Sequence, residues 1–101
     1  MDLLGKKHLE DLKKKHADTR SPINAWIAEV EEANWKTFKD VKDRYSTVDH
    51  IGNGLHIFNI KGTKYRIAAK IFIGQSENTV LVKKTGTHAE YMGWDLEELK
   101  K

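Results

Sequence analysis

An α+β fold is what this sequence predicts: a small antiparallel β-sheet, N-terminal helices packed on one of its faces, and a short helical segment at the C-terminus. Two observations carry the prediction. Up to about residue 45 the apolar residues recur at helical spacing, and beyond it short runs rich in β-branched and aromatic residues alternate with glycine-containing turns. Size adds a bound: 101 residues with 39% hydrophobic content suffice for one core and hardly two, so residues 1–101 read as a single domain.

The elements follow in order. "MDLL" is a candidate edge strand, and Leu9, Leu12 and His16 mark a narrow stripe on a first helix. In "SPINAWIAEVEE", Ser21 is the expected N-cap with Pro22 at the first helical position, and Ile23, Trp26, Ile27 and Val30 form a stripe that makes Trp26 a core residue. "TFKDVKDRY" opens on a cap-like Thr37 and sets Phe38, Val41 and Tyr45 on one side. Four strands come next, "TVDHI", "LHIFNI", "KYRIAAKIFI" and "NTVLVKK", separated by "GNG", "KGT" and "GQSEN" and read as an antiparallel meander. Alternation along the third puts Tyr65, Ile67, Ala69, Ile71 and Ile73 on a core face and Lys64, Arg66, Ala68, Lys70 and Phe72 on a basic one. Thr87 with Glu90 makes a capping box, and Asp95 with Glu98 a second cap ahead of "LEELKK".

Charge and composition narrow the function. The chain has no cysteine, which removes disulfides, thiolate metal sites and cysteine nucleophiles. "MDLLGKKHLEDLKKKH" lacks the apolar stretch of a signal peptide, and no run approaches the roughly 20 apolar residues that span a bilayer, so a cytoplasmic protein with no membrane partner is expected. The net charge of +3 is mild, but between His50 and His88 six cations (Lys61, Lys64, Arg66, Lys70, Lys83 and Lys84) face the single acid Glu77.

Directly after that stretch stands "TGTHAEYMGW". A turn beginning at Thr87 sets His88 and Tyr91 on neighbouring positions of one helical face, with backbone amides at an anion-favouring end. Imidazole exchanges protons near neutral pH, a phenol donates a proton or hydrogen bond, and Arg66 or a lysine neutralises phosphate. Such groups suit metal-free cleavage of RNA, in which the 2′-hydroxyl attacks the adjacent phosphorus. Plainer readings stand beside this one: His88 as a cap-associated surface residue, Glu90 as a capping acid, Arg66 as half of a structural ion pair, His56 as a packing residue. The five histidines have no metal-ligand spacing and no phosphate-binding glycine loop is present, so neither metal nor cofactor is expected.

"FNIKGTKYRI", the later "GTHAEY" and the upstream "AWIAEVEEANWKTFKDVKDRY" together resemble the HigB family of type II toxin–antitoxin toxins, within the RelE-like superfamily. The resemblance covers almost the whole chain. It implies the RelE-like fold, an antiparallel sheet with helices on one side and an RNA-binding surface on the other. It also implies an endoribonuclease, an mRNA interferase that inhibits translation, acting in many relatives on the ribosome. The implied partner is a HigA-like helix-turn-helix antitoxin that neutralises the toxin.

Carried over to this chain, the resemblance assigns Arg66 to phosphate stabilisation, His88 to proton transfer, and Tyr91 to nucleotide orientation, stacking or acid catalysis. Lys61, Lys64, Lys70, Lys83, Lys84 and Asn59 are the expected RNA contacts. Thr63 stands where relatives commonly have asparagine, and Met92 where an acid usually follows the tyrosine, which bears on RNA positioning. Two other functions compete: an RNA- or ribosome-binding module that does not cut, and a degenerate toxin that only holds its antitoxin.

Overall fold

The computed structural model describes all 101 residues. Strand β1 (Asp2–Leu4) leads into helix α1 (Lys6–Lys15), a 3₁₀ turn (Ala17–Thr19), and helices α2 (Arg20–Glu32) and α3 (Phe38–Arg44). Strands β2 (Asp49–Gly52), β3 (Leu55–Ile60), β4 (Tyr65–Ile73) and β5 (Asn78–Thr87) follow, and the chain ends in two single-turn helices, α4 (His88–Tyr91) and α5 (Leu96–Leu99). The sheet runs β1-β5-β4-β3-β2. The four consecutive strands form the expected antiparallel meander, and "MDLL" adds the edge strand, but parallel to β5, so the sheet is mixed. At Gly5 the chain leaves β1 with φ +80°, and a Cβ there would lie 2.3 Å from the Val82 carbonyl oxygen. Only glycine lets α1 start so close to β5.

Two helix details differ from the expectation. Ser21 is not the cap of α2: the 3₁₀ turn runs straight into the helix, which begins at Arg20 with Thr19 before it. The buried Thr19 hydroxyl donates to the carbonyls of His16 and Leu12, closing the α1–α2 corner. Thr37 does cap α3: its hydroxyl accepts from the Asp40 N–H, and its own N–H donates to the Asp40 carboxylate. Phe38, placed on the same side as Val41 and Tyr45 by spacing, is 37% exposed and instead lies against His50 and His56.

Alternation in β4 holds. Tyr65, Ile67, Ala69 and Ile71 join Leu9, Leu12, Ile23, Trp26, Val30, Val41, Phe58, Val80 and Val82 in one core beneath α1, α2 and α3. Trp26 meets Phe58 edge to face at 5.2 Å, and burying each side chain of this size contributes about 1.5–3 kcal/mol. The opposite face is not an open basic surface. Leu55, Ile57 and Ala68 are buried there beneath Tyr91, Trp94, Leu96 and Leu99 of the C-terminal segment. Asn53 and Lys70 side chains pin its end by donating to the Lys100 carbonyl at 2.9 and 2.8 Å. No helix is long and apolar enough to cross a membrane.

Candidate active site

Sheet register builds the site. Arg66 pairs with Gly86 and Tyr65 with Thr87, so the start of β4 lies beside the end of β5. There β5 stops because Thr87 closes a capping box: its hydroxyl accepts from Glu90 N–H at 3.1 Å, and its own N–H donates to Glu90 Oε1 at 2.8 Å. The bond from the Thr87 N–H holds the Glu90 carboxyl below its ordinary range, with lesser help from Lys15 and His16 of α1. Glu90 is thus a capping carboxylate, as the plainer reading had it. The turn it stabilises folds His88 and Tyr91 back over β4. The His88 N–H donates to the Lys64 carbonyl at 2.8 Å and the Glu90 N–H to the Thr87 hydroxyl, so these two amides are engaged within the protein instead.

Arg66 is the centre. It is 8% exposed, and its Nη1 donates to the carbonyls of Thr63 at 2.6 Å and Tyr65 at 3.4 Å. Nη2 lies 3.0 Å from His88 Nδ1, and the guanidinium carbon 5.2 Å from the centre of the Tyr91 ring. A guanidinium carries donors only, so His88 must offer a lone pair at Nδ1: the imidazole is neutral, with its proton on Nε2. None of the eight ion pairs in the chain involves Arg66. The structural ion pair is thereby excluded, and a nearly buried cation is held by neutral acceptors alone. Burying such a charge is costly, and an anion that reaches it recovers part of that cost.

The other expected RNA contacts divide into three groups. Lys61 and Lys64 lie in the β3–β4 turn and not, as expected for Lys64, on the strand, and the carbonyls of Thr63 and Lys64 join that turn to Arg66 and His88. Their amines lie 3.3 and 3.8 Å from Asp18 Oδ2, whose other oxygen accepts from the Tyr65 hydroxyl at 2.8 Å. The Tyr65 bond, aided by the two lysines, holds the Asp18 carboxyl below its usual value. Lys84 pairs with Ala68 in the ladder and sets its amine 5.8 Å from the centre of the Trp94 ring, while Lys83 occupies the register break just before it. Lys70 and Asn59 are committed elsewhere. Lys70 lies four residues along β4 from Arg66, about 13 Å at strand rise, and holds the Lys100 carbonyl. Asn59 donates to the Thr47 carbonyl at 3.1 Å.

Asp18 and Trp94 went unnoticed in the sequence. Nothing local marks Asp18, which meets Tyr65 across 47 residues. Trp94 carried a signal, since it stands three positions after Tyr91, the spacing of neighbours on one helical face. The two rings meet edge to face at 5.4 Å. No three His, Asp or Glu side chains converge to form a ready ligand set for a metal ion.

Residues 19–93 match the family described as HigB_toxin, a RelE-like toxic component of a toxin–antitoxin system. No curated protein matches the chain significantly.

Proposed function

The chain belongs to the HigB family, the RelE-like toxic components of toxin–antitoxin systems, and from that premise we propose that it is an endoribonuclease cutting messenger RNA without a metal ion. As a toxin it has an antitoxin partner, which we take to be a HigA-like helix-turn-helix protein in the same cytoplasm. One observation carries the enzymatic reading: Arg66, nearly buried and free of any carboxylate, touches both His88 and Tyr91. A binding module needs cations, but not a buried one joined to a neutral imidazole.

The chemistry follows from that contact. When a phosphodiester enters, the Arg66 Nη2 turns from His88 to a phosphate oxygen and stabilises the charge that grows on it. Release of Arg66 frees the lone pair at Nδ1, and His88 takes the proton of the ribose 2′-hydroxyl there. The 2′-oxygen bonds to phosphorus, the bond from phosphorus to the 5′-oxygen breaks, and the departing oxygen receives a proton from the Tyr91 hydroxyl. The products are a 2′,3′-cyclic phosphate and a 5′-hydroxyl end. Lys61 and Lys64 hold the flanking backbone once they leave Asp18.

Inducible expression of wild type, Arg66→Ala and His88→Ala, with transcript ends mapped and folded protein quantified, tests the proposal. New ends bearing 5′-hydroxyls in the wild type, insensitive to chelator in lysate and missing in both variants, are expected. Cleavage by His88→Ala at the wild-type rate overturns the mechanism, and intact transcripts beside well-folded wild type overturn the activity.

A further inference from the structure

The chain has three tryptophans, and two of them, Trp26 and Trp35, are core residues only 2% and 8% exposed. Trp94 differs. It is half-buried on the sheet face that carries Arg66, beside Tyr91. Its ring comes down onto bare strand: a Cβ added to Gly86 would lie 3.1 Å from the ring's Cζ2 and 3.1 Å from Glu90 Oε1. A side chain at Gly86 would make the indole or Glu90 give way by a few tenths of an ångström. Tyr91 braces it edge to face at 83°. An indole fixed in this way loses little freedom on meeting a flat ligand.

Cations flank the two rings. Arg66 stands 5.2 Å from Tyr91 and the Lys84 amine 5.8 Å from Trp94, which gives a row of Arg66, Tyr91, Trp94 and Lys84 across the ends of β4 and β5. The Lys84 contact is close to the outer limit of about 6 Å for a cation–π attraction, and the side chain is exposed, so it is released at small cost. Aromatic faces for bases alternating with cations for phosphates are what grooves for single-stranded nucleic acid require.

We infer that Trp94 is a stacking platform for the nucleobase next to the scissile phosphate of single-stranded RNA, and that Lys84 swings from the ring to that nucleotide's phosphate. The word scissile rests on the endoribonuclease reading above; the stacking does not. Because every base has a π-face, the platform supplies affinity with little sequence preference.

Trp94 gives its own signal. Full-length protein is titrated with a single-stranded oligoribonucleotide methylated at every 2′-oxygen, which cannot be cut, while tryptophan emission is followed and binding is measured independently by anisotropy of a labelled copy. Saturable quenching is expected in wild type and none in Trp94→Phe, whose remaining tryptophans are buried. With cleavable RNA, Trp94→Leu should raise KM about tenfold with kcat changed less than about twofold, and Trp94→Phe should restore most of the loss. Binding without quenching, together with unchanged KM in Trp94→Leu, overturns the platform and leaves the endoribonuclease reading standing. Quenching by a wild-type protein that cuts no RNA supports the platform and overturns the endoribonuclease. Should Trp94→Leu fail to fold, Trp94→Phe and the wild-type titration still decide.

Discussion

Nη2 of Arg66 lies 3.0 Å from Nδ1 of His88, a contact across 22 residues of sequence in which a permanent cation meets the lone pair of a neutral imidazole. Each residue sets the other's state. Arg66 dictates the tautomer of His88, and His88 occupies the donor that Arg66 would offer to phosphate.

The two should therefore act as a unit. Arg66→Ala and His88→Ala are each expected to lower kcat/KM about 10²- to 10³-fold, with the double variant far less impaired than the product of the two losses. Single-turnover cleavage of a short RNA by the three variants measures the coupling. Independent losses that multiply in full would mean that the contact has no part in the reaction.

Asp18 restrains two lysines. It holds Lys61 and Lys64 while accepting from Tyr65, and Asp18→Asn keeps an acceptor for the Tyr65 hydroxyl while removing the charge that competes with phosphate. RNA should bind a few-fold more tightly, because the two lysines reach the backbone without first leaving a carboxylate, whereas replacing both Lys61 and Lys64 with Ala should flatten the dependence of log K on log salt. Titrations at three salt concentrations check this, and an unchanged slope would leave the lysines out of the interface.

The capping box positions His88. Thr87→Ala removes the acceptor for the Glu90 N–H and should cost about 1 kcal/mol of stability, together with cleavage activity, because His88 is the first residue of the turn that the cap fixes. The Glu90 carboxylate, held below its ordinary value by the Thr87 N–H, adds a pH signature. A carboxyl lowered in the folded state gives stability that is complete above its unfolded value of about 4.5 and is lost as pH falls through the folded value. Glu90→Gln should abolish this part of the acid sensitivity, as read from denaturant midpoints at pH 7 and pH 4.

His56 contributes at milder acidity. Burial pushes its imidazole below the ordinary 6.5 against the opposing pull of the Gly54 carbonyl, which accepts from Nδ1 at 2.8 Å, and the neighbouring His50 adds a smaller push in the same direction as burial. The fold thus favours the neutral ring. Stability from this group is complete above pH 6.5 and falls as pH drops below it, because the unfolded chain then binds the proton first. His56→Gln, which keeps a donor for the Gly54 carbonyl, should lose less stability than wild type between pH 7.5 and pH 5.5 in thermal melts.

Much of the architecture was legible because it depends on neighbours in the chain. The helical stripe through Ile23, Trp26 and Val30, the alternation through Tyr65, Ile67 and Ala69, and the caps at Thr37 and Thr87 are properties of a few consecutive residues. Where local signals competed, one had to lose: Ser21 and Pro22 look like a helix start, yet the 3₁₀ turn and buried Thr19 moved the start to Arg20. The grouping of the candidate residues was legible in part. "YRI" and "GTHAEY" named Arg66, His88 and Tyr91, but charge counting could not separate Lys84, beside Trp94, from Lys70, spent on the C-terminal carbonyl.

By itself the sequence determined the α+β division, much of the core, the capping box that turns the chain after β5, and the family. Only the tertiary structure decided that Arg66 has no carboxylate partner, that His88 meets it through Nδ1, that Asp18 guards Lys61 and Lys64, and that the C-terminal segment covers much of the face expected to lie open. The reason is physical. Periodicity and capping energies act over three or four residues, whereas the Arg66–His88 contact is set by the register that pairs Arg66 with Gly86, and a slip of β4 by one residue would have turned Arg66 to the other side of the sheet, away from His88.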